Sequence, residues 1–237
     1  MGSFVLLHDI TPDDSSLGGK ARGLIHLAPQ FKVPEGFVIP GADPIVTDEL
    51  LDAFDRLGVS RVAVRSSAVH EDGTNAAWAG QLDTLLNIDR DGLASAVAAC
   101  RNSASSERAM AYAKQVGVEA GPVAVIVQTM LEPRLSGVAF SRHPVTGEGA
   151  VVIEVVEGLG EALVSGRVTP DTYIVSSDKK AEIHLSGDNP LMTDKEIDEV
   201  SELTTNVEQT LGFPVDIEWA YQNDELFVLQ ARPITAL

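Results

Sequence analysis

Near its C-terminus the chain reads VDIEWAYQNDELFVLQARPI, residues 215–234. Strand alternation puts Asp216 and Glu218 on one face with Ile217 and Trp219 on the other, and gives Gln230 and Arg232 a common face in the second run. A turn centred on Asp224 sets Glu218 opposite Gln230, close enough for both to share a ligand. A carboxylate and an amide oxygen are hard donors, suited to Mg2+ carrying nucleotide phosphates. Arg232 is then placed to neutralise charge on a transferring phosphoryl group. On these residues alone, a surface hairpin with a polar face is the other reading.

Four more clusters lie next to apolar runs. In VAVRSSAVHEDG (62–73) the apolar start runs out into Arg65, a planar fork suited to phosphate oxygens. Further along, Gly80 permits backbone contact and Thr84 supplies a hydroxyl, while Glu71 and Asp72 read as a solvated turn. In SLGGKARG (16–23) two glycines ahead of a helix let backbone approach a phosphate, with Lys20 as the point charge. The P-loop spacing is absent there, and an ordinary glycine turn is an equal alternative. AVIVQTMLEP (124–133) offers Gln128 and Met130 to frame a purine, which needs a donor, an acceptor and apolar walls. Met130 as plain core filling fits that stretch equally well. SGVAFSRHPVTGE and EVVEGLGEALVSGRVTPD combine glycine turns with Arg142, His143, Glu161 and Arg167, and His143 beside Pro144 reads as structural.

These clusters need elements to hold them. Short β-rich runs alternate with helical stretches, which predicts an α+β fold. FVLLHDI and GFVIP read as strands around the helix ARGLIHLAPQ, whose Leu24, Ile25, Leu27 and Ala28 form one stripe. DELLDAFDRLG predicts a helix with Leu50, Leu51, Phe54 and Leu57 on one side, stopped by Gly58. Residues 91–116 read as one or two helices, and VAVIVQTML, SGVAFS, AVVIEVV, DTYIVS and AEIHLS as strands. Thr193 and Glu196 form a capping box ahead of Ile197, Val200, Leu203 and Val207, with Gly212 ending that helix. We place a soft division near GVEAG, with an N-terminal lobe over 1–120 and a C-terminal lobe over 121–237.

Composition narrows the function. The 237 residues include 17 Lys plus Arg against 35 Asp plus Glu, a formal charge of −18 that argues against a nucleic-acid or anionic-membrane surface. A small phosphate ligand stays compatible, since a few local cations and Mg2+ can hold it. Hydrophobic residues at 44% argue against disorder. The one cysteine, Cys100, follows an Ala-rich run and reads as a helix-packing residue; it excludes an internal disulfide. No apolar run approaches the ~20 residues of a membrane span, and no signal peptide is evident, so the expected location is cytoplasmic.

Taken in order, GGKARGL, VAVRSSAVHEDG with WAGQLDT, VAVIVQTM, SGVAFSRHPVTGE, GLGEALVSGRVTPD and DIEWAYQNDELFVLQARPIT cover about residues 17–235. In that order they resemble the nucleotide-binding domain of phosphoenolpyruvate synthase and pyruvate phosphate dikinase, which is also found in rifampin phosphotransferase. The resemblance implies an ATP-grasp-like fold whose two lobes, of mixed sheets and packed helices, clamp ATP and Mg2+. It implies a phosphotransferase that passes the β-phosphoryl of ATP, through a pyrophosphorylated intermediate, to a histidine on a mobile domain and releases AMP. Residue by residue, Lys20 and Arg65 would hold phosphates, Gly80 and Thr84 would contact the phosphate chain, and Gln128 with Met130 would frame the adenine. Glu218 and Gln230 would bind Mg2+, and Arg232 would stabilise the transferred group, with Lys20 and Arg65 beside it in catalysis.

Two departures stand out. Only about 21 residues separate GFVIP from RVAVRSS, where the family carries a longer insertion. The chain ends after LQARPIT, before any Gly-rich run leading to Ser-His-Ala, and none of His8, His26, His70, His143 and His184 has that acceptor context. The implied partner is therefore a phosphohistidine-bearing domain or protein in trans, with no nucleic acid and no membrane. The alternative is a non-catalytic ATP-binding sensor or assembly module.

Overall fold

In the computed structural model the described residues are 4–7, 17–41, 43–68, 72–73, 76–77, 84–103, 123–176, 178 and 180–234. The chain divides into two compact units, one of Met1–Pro29 with Pro34–Met130, the other of Gln30–Val33 with Leu131–Leu237. The division expected near residue 120 lies outside the described residues.

In chain order the first unit has β1 (Val5–Leu6), α1 (Gly18–Leu27), β2 (Gly36–Ile39), α2 (Thr47–Leu57), β3 (Val62–Ser67), β4 (Asp72–Gly73), β5 (Ala76–Ala77), β6 (Thr84–Ile88), α3 (Leu93–Ser103) and β7 (Ala124–Thr129). Its main sheet runs β1-β2-β7-β3-β6. Every ladder in it is antiparallel.

Alternation gives that sheet two different faces. Val62 and Val64 of β3 join Phe37, Ile39, Val125 and Val127 in a core closed by Leu50, Ala53 and Phe54 of α2 and by Leu93, Ala96, Val97 and Cys100 of α3. Leu51 and Leu57, expected on the buried side of α2, are only partly covered, and Ala53 completes that side. Ala63, Arg65 and Ser67 alternate to the other face. There α1 packs on β3 and β7, burying Ala21, Leu24, Ile25 and Leu27. The cationic β3 residue thus lies on the side of the sheet that α1 covers.

A register shift between Val62 and Val64 pairs them with Ile88 and Leu85. Asn87 takes a left-handed conformation there (φ 59°). The bulge lets Leu85 and Ile88, three residues apart, both pack on the core.

The second unit has β8 (Leu135–Phe140), β9 (Val151–Glu157), α4 (Glu161–Val164), β10 (Asp171–Val175), β11 (Ala181–His184), α5 (Asp194–Leu211), β12 (Val215–Gln222) and β13 (Glu225–Pro233). Its sheet runs β11-β10-β9-β8-β12-β13. Its ladders are antiparallel throughout. Where mixed sheets are expected, both main sheets are therefore wholly antiparallel. The overall class is α+β.

Helix α5 packs on β8, β9 and β12. The capping box is present: Thr193 Oγ1 accepts the Glu196 N–H, and the Glu196 carboxylate accepts the Thr193 N–H at 2.8 Å. The buried stripe is Ile197, Val200, Thr204 and Val207, with Thr204 in the place expected of Leu203. Thr204 follows Val200 by one turn, and its hydroxyl donates to the Val200 carbonyl at 2.7 Å, which satisfies the buried oxygen. Ahead of the helix, residues 185–192 are tied down by buried Asp171. It accepts from Ser186 N and Oγ at 2.7 Å each, from Leu191 N at 3.1 Å and from the Tyr173 hydroxyl at 3.3 Å. Burial pushes the Asp171 carboxyl up, but these donors outweigh it and hold the group below the ordinary carboxylate range.

The short segment Gln30–Val33 belongs to this second unit although both flanks belong to the first. The Lys32 carbonyl accepts the Val228 N–H of β13 at 2.9 Å, and the Lys32 ammonium pairs with Glu225. Among the described residues, no helix is long and apolar enough to cross a membrane.

Candidate functional site

In the first unit the helix start that holds Lys20 is fastened to the end of β3. Gly19 N donates to the Ala68 carbonyl at 3.1 Å. Ala21 N donates to Ser67 Oγ at 3.1 Å, and Ser67 Oγ donates to the Leu17 carbonyl at 2.9 Å. Gly18, with φ +74°, passes so close that a Cβ there would lie 2.3 Å from the Ser67 carbonyl oxygen. Only glycine fits both the conformation and the gap. Arg65, two residues before Ser67, stands directly opposite Thr84 on β6 and Ile126 on β7. Two of the sequence-read phosphate contacts, Arg65 and Thr84, are therefore cross-strand neighbours, and α1 brings Lys20 to the same end of β3. Gly80 lies outside the described residues, as do His70 and Glu71.

Gln128 and Met130 follow along β7. Gln128 is opposite Ala63 and buried, and its carboxamide donates to the Pro34 carbonyl at 3.4 Å. Its side chain is thus committed to the chain itself. Met130 is half-buried, and its N–H donates to the Arg61 carbonyl at 3.1 Å.

In the second unit the terminal hairpin turns at Asn223 and Asp224, both left-handed at φ 51° and 61°. A regular count from that two-residue turn would set Leu229 opposite Glu218. Instead the register shifts between Glu218 and Trp219: Trp219 pairs with Val228 and Glu218 with Gln230. Leu229 is the extra residue of a bulge, and the bulge is what brings the amide opposite the carboxylate. Two rows then cross the sheet on one face. Gln230, Glu218, Val138 and Glu154 are successive partners, and beside them run Arg232, Asp216, Phe140 and Val152.

The charges on this face are coupled. Asp216 accepts Arg232 Nε at 2.8 Å and Nη2 at 2.7 Å. Burial pushes the Asp216 carboxyl above its ordinary value against the pull of Arg232, with Glu218 adding to the rise. Burial likewise raises Glu154, and Asp216 adds to it. Gln230 is only 6% exposed and stands directly opposite Glu218. Its amide oxygen and the Glu218 carboxylate are both hard oxygen donors. Among the described residues no three His, Cys, Asp or Glu converge as a metal site. A carboxylate facing an amide oxygen is a donor pair chemically compatible with a hard divalent cation such as Mg2+.

Sequence reasoning gave Asp216 and Ser67 no role and passed over Glu154. The signal for Glu154 was a lone acid inside VVIEVVE; the other two needed the register and the docking of α1. His143 uses Nδ1 to accept the Val145 and Thr146 N–H groups at 3.2 and 3.3 Å, a turn-holding arrangement.

Residues 42–187 and 180–237 match the family described as the pyruvate phosphate dikinase AMP/ATP-binding domain. The chain belongs to that family. It is 37% identical to the probable phosphoenolpyruvate synthase of Archaeoglobus fulgidus across 74% of this chain and 27% of that protein. It is also 37% identical to the rifampicin phosphotransferase of Streptomyces sviceus across 98% of this chain and 29% of that protein. The chain therefore spans under a third of either relative. Among solved structures, the D-alanine-D-alanine ligase of Coxiella burnetii is similar over 92% of this chain and 48% of its own, at 10% identity and a TM-score of 0.49.

For this AMP/ATP-binding domain, Glu218 gives a direct test of the metal reading. Glu218→Gln keeps the shape and removes one ligand charge. Titration calorimetry is expected to show Mg-ATP weakened about tenfold or more while metal-free ATP changes little. Equal losses for both forms would assign Glu218 another task.

Proposed function

We propose that the chain is the ATP-handling module of a phosphotransferase. It binds Mg-ATP and passes the β-phosphoryl, by way of a pyrophosphoryl intermediate, to a histidine on a separate domain or protein, releasing AMP. The observation that supports this most is the paired row of Gln230 and Glu218 beside Arg232 and Asp216, in a member of an AMP/ATP-binding family.

The chemistry is displacement at phosphorus. A ring nitrogen of the acceptor histidine attacks the β-phosphorus, the bond from that phosphorus to the oxygen bridging it to the α-phosphorus breaks, and AMP leaves with the oxygen. The γ-phosphoryl group then passes from the pyrophosphoryl-histidine to water or inorganic phosphate. Such reactions depend on positioning and charge stabilisation. Lys20 and Arg65 hold phosphate oxygens, with Gly80 and Thr84 along the phosphate chain. Gln128 and Met130 line the adenine; Gln128 does so by its place on the strand, since its amide is engaged with Pro34. Glu218 and Gln230 hold Mg2+, which when bound neutralises charge on the phosphate oxygens. Arg232, oriented by Asp216, faces the transferring group.

The relatives support one shared half-reaction. A probable phosphoenolpyruvate synthase and a rifampicin phosphotransferase have different names for what they act on or make, yet this chain is 37% identical to each, over 74% and 98% of its length respectively. A module that handles ATP alone, upstream of whatever accepts the phosphoryl group, is compatible with both names.

The test is incubation with ATP, Mg2+ and a separately produced phosphohistidine domain from either relative. AMP and an acid-labile phosphate on the partner are expected in equal amounts. Tight nucleotide binding without AMP, with both partners, would overturn the reading in favour of a non-catalytic ATP sensor.

A further inference from the structure

We propose that Ser67 is a positioning residue for the triphosphate: its hydroxyl locks the first turn of α1 to the end of β3 and so fixes Lys20 relative to Arg65. The inference rests on the ATP reading above and goes further by naming a residue that touches neither nucleotide nor metal.

Helix α1 has no cap of its own. Leu17 precedes it with no side-chain hydrogen bond, and its first turn has no acidic residue. A helix start leaves four N–H groups without intrahelical partners. Ser67, from another element and wholly buried, bridges the first helical bond instead, since its Oγ accepts the N–H of Ala21, whose i−4 carbonyl is that of Leu17. The same hydroxyl donates to the Leu17 carbonyl, so one oxygen spans the entry to the helix. Ala68, the next residue, accepts the Gly19 N–H. Leu17, Gly19 and Ala21 are thus tied to two residues at the end of β3, and Gly18 is pressed against the same strand end.

Lys20 lies inside this fastened stretch. Arg65 and Ser67 alternate to the same face of β3, the face that α1 covers. The separation between the backbones that bear the two cations is therefore set by the Ser67 hydroxyl and the Ala68 carbonyl. A lysine needs such anchoring more than an arginine, because it is a flexible point charge with no planar fork. Two cations aimed at one polyphosphate act together only while that separation holds.

The role has a signature that a merely structural serine lacks. Loss of the hydroxyl should weaken ligands in proportion to their phosphate tail, whereas general loosening weakens all nucleotides alike. The probes are ATP and AMP with Mg2+, titrated calorimetrically into the 237-residue chain and into Ser67→Ala and Ser67→Cys. The cysteine variant keeps the volume and loses the strong hydrogen-bonding oxygen, so it stands in if the alanine variant fails to fold. Wild type is expected to prefer ATP over AMP. In both variants ATP affinity is expected to fall about tenfold with AMP affinity unchanged. A wild type that prefers ATP beside folded variants with the same preference overturns the role of Ser67 alone. A wild type that binds neither nucleotide overturns the ATP reading and this role with it.

Discussion

Arg232→Ala is expected to slow AMP formation with a phosphohistidine partner by about 10³-fold or more, the scale on which a lone arginine stabilises a transferring phosphoryl group. On the proposed role ATP affinity should change far less, since a group that acts on charge developing during transfer contributes little to ground-state binding. Asp216 accepts two of the Arg232 N–H groups on one oxygen, which fixes the orientation of the guanidinium plane.

The same pair makes a control possible. Asp216 is buried and already pushed up by that burial, so removing Arg232 leaves a buried carboxyl without its counter-charge. Adding Asp216→Asn to Arg232→Ala should therefore recover any lost stability without recovering transfer. Single-turnover assays and urea titrations on the two variants separate these effects. An Arg232→Ala protein that still forms AMP at the wild-type rate would remove this residue from the reaction.

Gly137→Ala carries the largest expected loss of stability, about 3 kcal/mol or more. A Cβ at that position would lie 2.0 Å from the Glu154 carbonyl oxygen and 2.9 Å from Trp219 Cζ2. The first obstacle is backbone in the adjacent strand and cannot rotate away; the second is a buried ring. The ladder between β8 and β9 has to part, and with it the row that sets Val138 between Glu218 and Glu154. Gly149→Ala is the matched control, since nothing lies within 4 Å of its Cβ position. It should stay within about 0.5 kcal/mol of wild type. Urea midpoints followed by circular dichroism compare the two, and a Gly137→Ala midpoint equal to that of Gly149→Ala would contradict the steric account.

Much of this architecture was legible because its signals are local. The Thr193 and Glu196 box lies within one helical turn, and Gly58 and Gly212 close their helices in left-handed conformations. The facing of Glu218 and Gln230 was also anticipated, though by a simpler route than the chain uses. A turn centred on Asp224 gives that facing by simple counting, whereas the turn is Asn223–Asp224 and the bulge at Leu229 supplies the missing step. Bulges depend on what the neighbouring strand and core accept, so alternation within one run does not reveal them.

What remained hidden rests on distant partners. Ser67 acquires its task only when α1, about 46 residues earlier, docks on β3. Gln128 reads as a free polar group until Pro34 takes its amide across 94 positions. Strand β7 lies between β2 and β3 in the sheet although both precede it by far in the chain. Periodicity states which residues share a face; it does not state which strands are neighbours.

The excursion of Gln30–Val33 into the second unit bears on any attempt to dissect the chain. A fragment starting at Leu131 would retain every strand of the six-stranded sheet yet lack the Lys32 carbonyl that occupies the Val228 amide. Its outermost strand would then offer a bare hydrogen-bonding rim, an invitation to edge-to-edge association. A soluble excised half should need a peptide bearing residues 30–33, joined by circular permutation or added back, to stay monomeric.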